Sequence, residues 1–173
     1  MIWKLETNRT RLREFGGDDM GAVRALFTEP AIMRYIGGKP MSDEQVVGLL
    51  SFFRTHYEEH GFGPWAVSLR DSDAIIGVAG LKFVHDLENP DLGFSFFKPY
   101  WGKGYATEIG RALMDFGFKH RRLGKIGAIV NHENAATIRV LQKLGMSFEK
   151  TVSRLGMEWE LYTATSEERE EGA

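Results

Sequence analysis

The sequence predicts a single α+β domain built on a mixed, mostly antiparallel sheet. Residues 65–70 and 74–84 form two apolar or alternating runs joined by a short polar turn, which is typical of a β-hairpin. Residues 91–112 combine a strand-like run, a glycine-rich turn and an amphipathic helix. Residues 125–130 form another short apolar run after that helix. Because a helix that connects two strands of one sheet usually makes them parallel, we expect one parallel pair among antiparallel strands.

Composition bounds the class of protein. The chain has 173 residues, 43% hydrophobic and 27% charged, which suits one soluble globular domain. Its 22 basic and 24 acidic residues give a net charge of −2, so we expect no nucleic-acid or membrane partner. Without cysteine the chain has no disulfide, thiolate metal site or cysteine nucleophile. No signal-peptide pattern or run of about 18 apolar residues is present, so a cytoplasmic location is expected.

The N-terminal part of the chain predicts one strand and two helices. Residues 3–15 alternate like a half-exposed strand, with a break near residue 8. Two aspartates then open a helix over residues 18–30, since acidic residues in the first turn complement the helix dipole. An S-x-x-Q capping box opens a longer helix at Ser42, and its apolar spacing continues to about His60.

The C-terminal part predicts a helix and a final hairpin. Asn131 or Asn134 caps the helix, and Gly145 ends it. Residues 146–154 and 158–163 form the hairpin. One domain therefore spans residues 1–165. The glutamate-rich tail at 166–173 is expected to be disordered.

The turn at residues 101–106 has the features of an anion-binding site. It places two glycines and a lysine directly before a helix, whose first N–H groups have no intrahelical partner. A P-loop needs Ser or Thr where Gly104 stands, and a dinucleotide fingerprint needs a third glycine where Thr107 stands. Neither motif fits. On this ground alone, an ordinary tight turn is the alternative.

Three stretches resemble the GNAT superfamily of acetyltransferases. The glycine-rich turn is similar to its Q/R-x-x-G-x-G/A loop, with Trp101 in the first position. Residues 100–108 match Y-W-G-K-G-Y-A-T-E, the loop of the subgroup that contains the ribosomal-protein N-terminal acetyltransferases. Residues 6–13 resemble the T-x-R-L-x-L-R opening of that subgroup. Asn134 and Gly145 keep the eleven-residue spacing of the family's N-x-x-A/S…G-F segment.

The resemblance implies the GNAT fold, with a seven-stranded sheet, about four flanking helices and splayed strands at the centre. It also implies acetyl-CoA as co-substrate and no metal. The pantetheine would lie beside residues 94–97, and the pyrophosphate would bind the glycine-rich turn. The implied acetyl-CoA contacts are Phe94, Phe96, Phe97, Trp101, Gly102, Lys103, Gly104, Tyr105, Ala106, Thr107 and Asn134.

The chemistry implied by the resemblance is direct attack of a primary amine on the thioester in a ternary complex. Asp91 is the candidate base, with Glu88, His85 or a water as alternatives. Many superfamily members use a tyrosine as general acid at the position of Leu141, so Thr137 is the candidate donor to the departing thiolate. A weak acid and a weak base favour an acceptor of low pKa, such as an α-amine.

In the family, the segment before residue 61 covers the acceptor groove, so Tyr35, His56 and Tyr57 are candidate acceptor contacts. The acceptor is a protein N-terminus or a small amine such as a polyamine, an amino acid or an antibiotic. A non-catalytic acyl-CoA-binding module is the alternative. His56 and His60 have no third metal ligand within sequence reach. The oligomeric state is open, with a homodimer among the options.

Overall fold

The computed structural model describes residues 4–84, 87–154 and 156–171, and eight strands in this part of the chain form one sheet. The strands are β1 (Leu5–Glu6), β2 (Thr10–Arg13), β3 (Pro64–Leu69), β4 (Ile75–Lys82), β5 (Asp91–Phe96), β6 (Lys125–Asn131), β7 (Ser147–Arg154) and β8 (Met157–Thr165). Their spatial order is β1-β2-β3-β4-β5-β6-β8-β7. Only β5 and β6 are parallel neighbours among these strands, so the predicted mixed, mostly antiparallel sheet is confirmed.

Six α-helices accompany the sheet in the described ranges. They are α1 (Met20–Thr28), α2 (Pro30–Met33), α3 (Asp43–His60), α4 (Tyr105–Asp115), α5 (Ala135–Lys143) and α6 (Ser166–Glu171). A π-helical turn at Phe116–His120 extends α4. None of the helices described is both long enough and apolar enough to cross a bilayer.

The strand predicted over residues 3–15 is a hairpin of β1 and β2, which raises the strand count from the expected seven to eight. The N–H of Thr7 donates to the carbonyl of Thr10 at 2.9 Å, and their hydroxyl groups hydrogen-bond at 2.7 Å. The two side chains close a turn where the sequence indicated only a break. Residue 3 lies outside the described residues.

The tail also differs from its prediction, because residues 166–171 form helix α6 where disorder was expected. The N–H and hydroxyl of Thr165 donate to Glu168 Oε2 at 3.0 and 2.9 Å, and the Glu168 N–H donates back to the threonine hydroxyl at 3.3 Å. This is a capping box, T-x-x-E, that the acidic composition concealed. Residues 172–173 lie outside the described residues.

Helices α1 to α3 cover one face of the sheet, and α4 and α5 cover the other. On β4, Val78 belongs to the same buried cluster as Phe53 of α3. Its neighbour Ala79 belongs to the cluster that contains Leu113 of α4 and Leu141 of α5. Since successive residues of a strand point to opposite faces, the two clusters lie on opposite sides.

The long helix α3 begins and ends as its sequence predicts. The hydroxyl of Ser42 accepts the N–H of Gln45 at 3.3 Å, and the Gln45 side chain accepts the N–H of Ser42 at 2.8 Å. Gly61 follows the last turn with φ of 69°, in the left-handed region that favours glycine.

Close backbone packing leaves no room for a side chain at Gly80 in the central sheet. A Cβ atom on Gly80 of β4 would lie 2.2 Å from the carbonyl oxygen of Gly63 and 2.6 Å from Cα of Pro64. Both are backbone atoms of the segment that enters β3, so neither can move aside alone.

We expect Gly80→Ala to lower the free energy of unfolding by about 1–3 kcal/mol, the usual effect of overpacking. Gly48→Ala is the matched control, since that glycine lies within α3 and a Cβ atom added to it would meet nothing within 4 Å. This change should raise the free energy of unfolding by about 1 kcal/mol, because alanine favours helix. Urea denaturation of both variants gives the two values. Effects of the same sign would contradict the packing described.

Candidate active site

The central parallel strands separate soon after they meet. In the described chain, β5 and β6 share one register pair, Asp91 with Gly127, and the N–H of Gly127 donates to the carbonyl of Pro90 at 2.9 Å. The outer sides of β5 and β6 stay paired with β4 and β8 along the whole of both strands. A gap therefore opens between the carboxyl-terminal halves of two buried strands, and the splay implied by the resemblance is present.

The gap exposes backbone groups of β5. The carbonyl of Pro90 faces β6, and the N–H of Phe97 donates to β4 at 3.0 Å, so even-numbered residues direct their backbone groups toward the gap. The carbonyl of Phe96 accepts the indole N–H of Trp101 at 2.6 Å. The N–H and carbonyl of Phe94 lie between these positions. They therefore face the gap, where a bound ligand can satisfy them.

Asp91 lies at the point where the strands separate. Its Oδ1 accepts the N–H of Ile129 at 2.9 Å, in place of a backbone acceptor that β5 no longer provides. Its Oδ2 forms an ion pair with Lys82 of β4. The residue is buried, with 3% of its surface exposed. The sequence located Asp91 at this strand but gave no sign that its carboxylate joins three strands.

A cavity of about 340 Å³ runs through the gap. The side toward α1–α3 is apolar and is lined by Phe27, Tyr35, Ile36, Met41, Leu49, Phe52 and Phe53. The side toward α5 is lined by Asn134, Thr137 and Leu141. The cavity thus connects the two faces of the sheet past Asp91 and Phe94, which also line it.

The first turn of α5 presents polar groups to this cavity. The side chain of Asn134 caps the helix by accepting the N–H of Thr137 at 3.2 Å. Capping uses the carbonyl oxygen of the side chain and leaves its NH₂ group to donate to a ligand. The hydroxyl of Thr137 is a second donor from the same turn.

The glycine-rich turn before α4 leaves the start of the helix open. Gly102 and Gly104 have φ of 70° and 81°, in the left-handed region that glycine adopts without strain. Gly104 is the N-cap of α4 and supplies no side-chain acceptor. The first N–H groups of α4 therefore keep their capacity to bind an anion. Trp101 beside them is 44% exposed.

Arg9 of the N-terminal hairpin holds this turn in place. Its backbone N–H and Nε donate to Glu108 at 3.0 and 2.6 Å, and Nη1 donates to the carbonyl of Lys103 at 2.9 Å. Its guanidinium lies 4.4 Å from the ring centroid of Tyr105. Burial raises the pKa of Glu108, but hydrogen bonds from Thr7 and Arg9 outweigh this and lower the pKa. Local sequence patterns give no sign of this role of Arg9, because Glu108 lies 99 positions away along the chain.

An open depression of about 540 Å³ adjoins the turn and is lined by several cationic side chains. Arg9, Arg111 and Lys143 line it together with Glu108, to which Arg9 is paired. Neither Arg111 nor Lys143 forms an ion pair with another described residue. Positive charge therefore extends from the start of α4 over the neighbouring surface.

The structure brings one of the three predicted acceptor contacts to the cavity. Tyr35 lines it, with the guanidinium of Arg34 located 5.1 Å from its ring centroid. Leu49 and Phe52 of α3 also line it, although neither is among the predicted contacts. Helical spacing could have found them, because Phe52 lies one turn and Leu49 two turns before His56 on α3.

His56 and Tyr57 do not line the cavity, so the structure does not bring these two predicted acceptor contacts to it. The ring of His56 is buried, with Nδ1 2.7 Å from the carbonyl of Phe62, and Nε2 accepts the N–H of Phe83 at 2.8 Å. The hydroxyl of Tyr57 donates to the carbonyl of Pro64. Both side chains instead fasten the end of α3 to the sheet.

Other predicted residues also lie apart from the cavity lining. Phe96 is a buried core residue, and Phe97 packs against the cluster beneath α1–α3. Glu88 is exposed and does not line the cavity, while His85 lies outside the described residues. In the ranges described, no three His, Asp or Glu side chains are grouped so as to hold a metal ion.

Residues 9–147 match the family model described as the acetyltransferase (GNAT) domain. The match covers most of the chain, which therefore belongs to the GNAT acetyltransferase family.

Individual relatives agree with this family. The uncharacterized N-acetyltransferase YoaA of Bacillus subtilis is 31% identical over 147 residues, 84% of this chain and 83% of that protein. Spermidine N(1)-acetyltransferase of Escherichia coli is 28% identical over 140 residues, 80% of this chain and 73% of that protein. Mycobacterium smegmatis RimJ in complex with CoA-disulfide has a TM-score of 0.76 at 21% identity, over 92% of this chain and 83% of that chain. The predicted GNAT fold is confirmed.

The buried ring of His56 makes stability depend on pH. Burial lowers its pKa, although its hydrogen bond to the carbonyl of Phe62 opposes this in part. A neutral ring is therefore favoured in the folded state. Its contribution is complete above the unfolded pKa of about 6.5 and is lost as the pH falls toward the lower folded pKa.

We expect the free energy of unfolding to fall between about pH 7.5 and about pH 5.5, and to fall less in His56→Gln. Urea denaturation at each pH measures both slopes. Equal slopes in the two proteins would show that this ring does not titrate as described.

Proposed function

We propose that this protein transfers an acetyl group from acetyl-CoA to a primary amine, which attacks the thioester directly in a ternary complex. The observation that supports this most is the cavity through the β5–β6 gap, with the backbone of Phe94 on its wall and the open start of α4 close to the gap. The chain has no cysteine, which favours direct attack over a thioester-linked enzyme intermediate.

The residues present suit acetyl-CoA as co-substrate. Pantetheine amides can pair with the unpaired backbone groups of Phe94, and the NH₂ group of Asn134 can donate to the same arm. The pyrophosphate matches the first N–H groups of α4. Arg111 and Lys143 would provide cations for the remaining phosphate.

In the proposed reaction, the neutral amine attacks the carbonyl carbon, a C–N bond forms and the C–S bond breaks. The N–H of Phe94 would stabilise negative charge on the carbonyl oxygen. The hydroxyl of Thr137 would donate a hydrogen bond to the departing thiolate, which then takes up a proton. The amine proton passes to a water or to Asp91, for whose carboxylate the ammonium of Lys82 competes.

The acceptor class has two candidates within this proposal, a protein N-terminus and a small amine. Because the chain is similar to spermidine N(1)-acetyltransferase, polyamines stay among the candidate small-amine acceptors. A non-catalytic acyl-CoA-binding module is the second candidate function, which the ion pairing of Asp91 favours. Binding of acetyl-CoA without amine-dependent release of CoA would support that module.

Binding of acetyl-CoA is tested at the glycine-rich turn. Gly104→Ala should raise the dissociation constant of acetyl-CoA about tenfold, because a Cβ at the N-cap obstructs the approach of the phosphates. Gly38→Ala is the matched control, since Gly38 has a similar φ of 78° and a Cβ atom added to it would meet nothing within 4 Å. Isothermal titration with acetyl-CoA measures both. An equal effect of the two changes would place the phosphates elsewhere.

The transfer step is tested at Thr137. Thr137→Val should lower kcat about 10- to 100-fold with little change in KM for acetyl-CoA, because a hydrogen bond to a charged group is worth about 1.5–3 kcal/mol. Thr151→Val on the exposed edge strand β7 is the control and should leave kcat unchanged. Release of CoA in the presence of amine gives the rate. An unchanged kcat in Thr137→Val would show that the hydroxyl of Thr137 does not take part in the reaction.

A further inference from the structure

Carboxylates are scarce in the cavity. The charged side chains that line it are Lys82, Asp91 and Arg154. Asp91 is the only carboxylate in this described lining, and it is ion-paired with Lys82 and accepts the N–H of Ile129. The lining therefore has no spare carboxylate for a second positive charge on an acceptor. A buried charge without a partner is strongly disfavoured.

The acceptor side of the cavity suits an apolar group. Six side chains from α1, α3 and the segment between them form an apolar wall, and these are Phe27, Ile36, Met41, Leu49, Phe52 and Phe53. Phe52 lines the cavity yet is 40% exposed, so it lies where the wall meets solvent. An apolar group placed here would remove its own surface and that of Phe52 from water.

Size adds a second restriction. The cavity measures about 340 Å³, near the lower end of the roughly 300–1,000 Å³ typical of ligand sites. The reacting end of acetyl-CoA has to share this space. What is left suits one apolar side chain rather than a chain of sugars.

The charge of the lining also bears on the protonation of the acceptor, because two cationic side chains, Lys82 and Arg154, line the cavity with one carboxylate, Asp91. A positively charged lining disfavours the protonated amine relative to the neutral amine, and only the neutral form attacks. At pH 7 an α-amine is roughly 10% neutral, whereas a lysine-like amine is neutral in only about 0.04% of molecules. The lining therefore favours an acceptor of low basicity.

We infer that the acceptor is an α-amine that carries an apolar side chain and no second positive charge. An amino-acid amide or the apolar first residue of a short peptide has this chemistry. Polyamines and aminoglycosides do not. The inference rests on the proposed function and narrows its acceptor class.

A panel of amines tests the inference in the full-length protein with acetyl-CoA. Leucinamide and lysinamide share the α-amine and differ by one side-chain charge, while Nα-acetyl-lysinamide offers only the more basic amine. We expect kcat/KM for leucinamide to exceed that for lysinamide at least about tenfold, and that for Nα-acetyl-lysinamide and spermidine at least about 100-fold. Release of CoA provides the measurement.

The outcomes separate the inference from the proposed function. Preferred transfer to spermidine or lysinamide overturns the inference and leaves the proposed function intact. Absence of transfer to every amine, in a protein that still binds acetyl-CoA, overturns both.

A pair of substitutions tests whether the cavity lining discriminates between acceptors by the charge of their side chains. Phe52→Asp places a carboxylate in the lining and should raise the ratio of lysinamide to leucinamide turnover about tenfold. Val47→Asp adds the same charge on the same helix, at a residue that is 52% exposed and does not line the cavity, and should leave the ratio unchanged. Equal ratios in the two variants, changed or not, would overturn the inference.

Discussion

The site depends on one carboxylate that joins three strands. Asp91 of β5 accepts a hydrogen bond from a backbone N–H of β6 and forms an ion pair with Lys82 of β4. A sheet interior cannot leave polar backbone groups without partners, so two parallel strands can separate only where something else satisfies them. Asp91 does this for Ile129 at the start of the gap. Farther along, the backbone of Phe94 is left for a ligand.

The apolar side of the cavity is held in place by the C-terminal end of α3. His56 and Tyr57 fix the last turns of this helix to the carbonyls of Phe62 and Pro64 and to the N–H of Phe83. The preceding turns are thereby positioned over the cavity, which Leu49, Phe52 and Phe53 line. Anchoring residues and lining residues thus occupy successive turns of one helix.

The sequence predicted what local chemistry determines and missed what distant contacts determine. The capping box at Ser42, the glycine-rich turn and the cap at Asn134 are local patterns, and the structure contains all three. The ion pair of Asp91 and the position of His56 depend on which strands become neighbours and on how far α3 is rotated. Residue spacing on one element does not carry that information.

The hydrogen bonds of Arg9 to Glu108 and to the carbonyl of Lys103 also affect how the domain folds. Arg9 and Glu108 are 99 positions apart, so their contact closes more than half of the chain into one loop. Contacts of such separation have a large loop-closure entropy and do not form from local structure alone. The glycine-rich turn therefore reaches its final shape only when the first hairpin has joined the sheet. Under the proposed function, affinity for acetyl-CoA reports completion of the whole domain rather than of its central part.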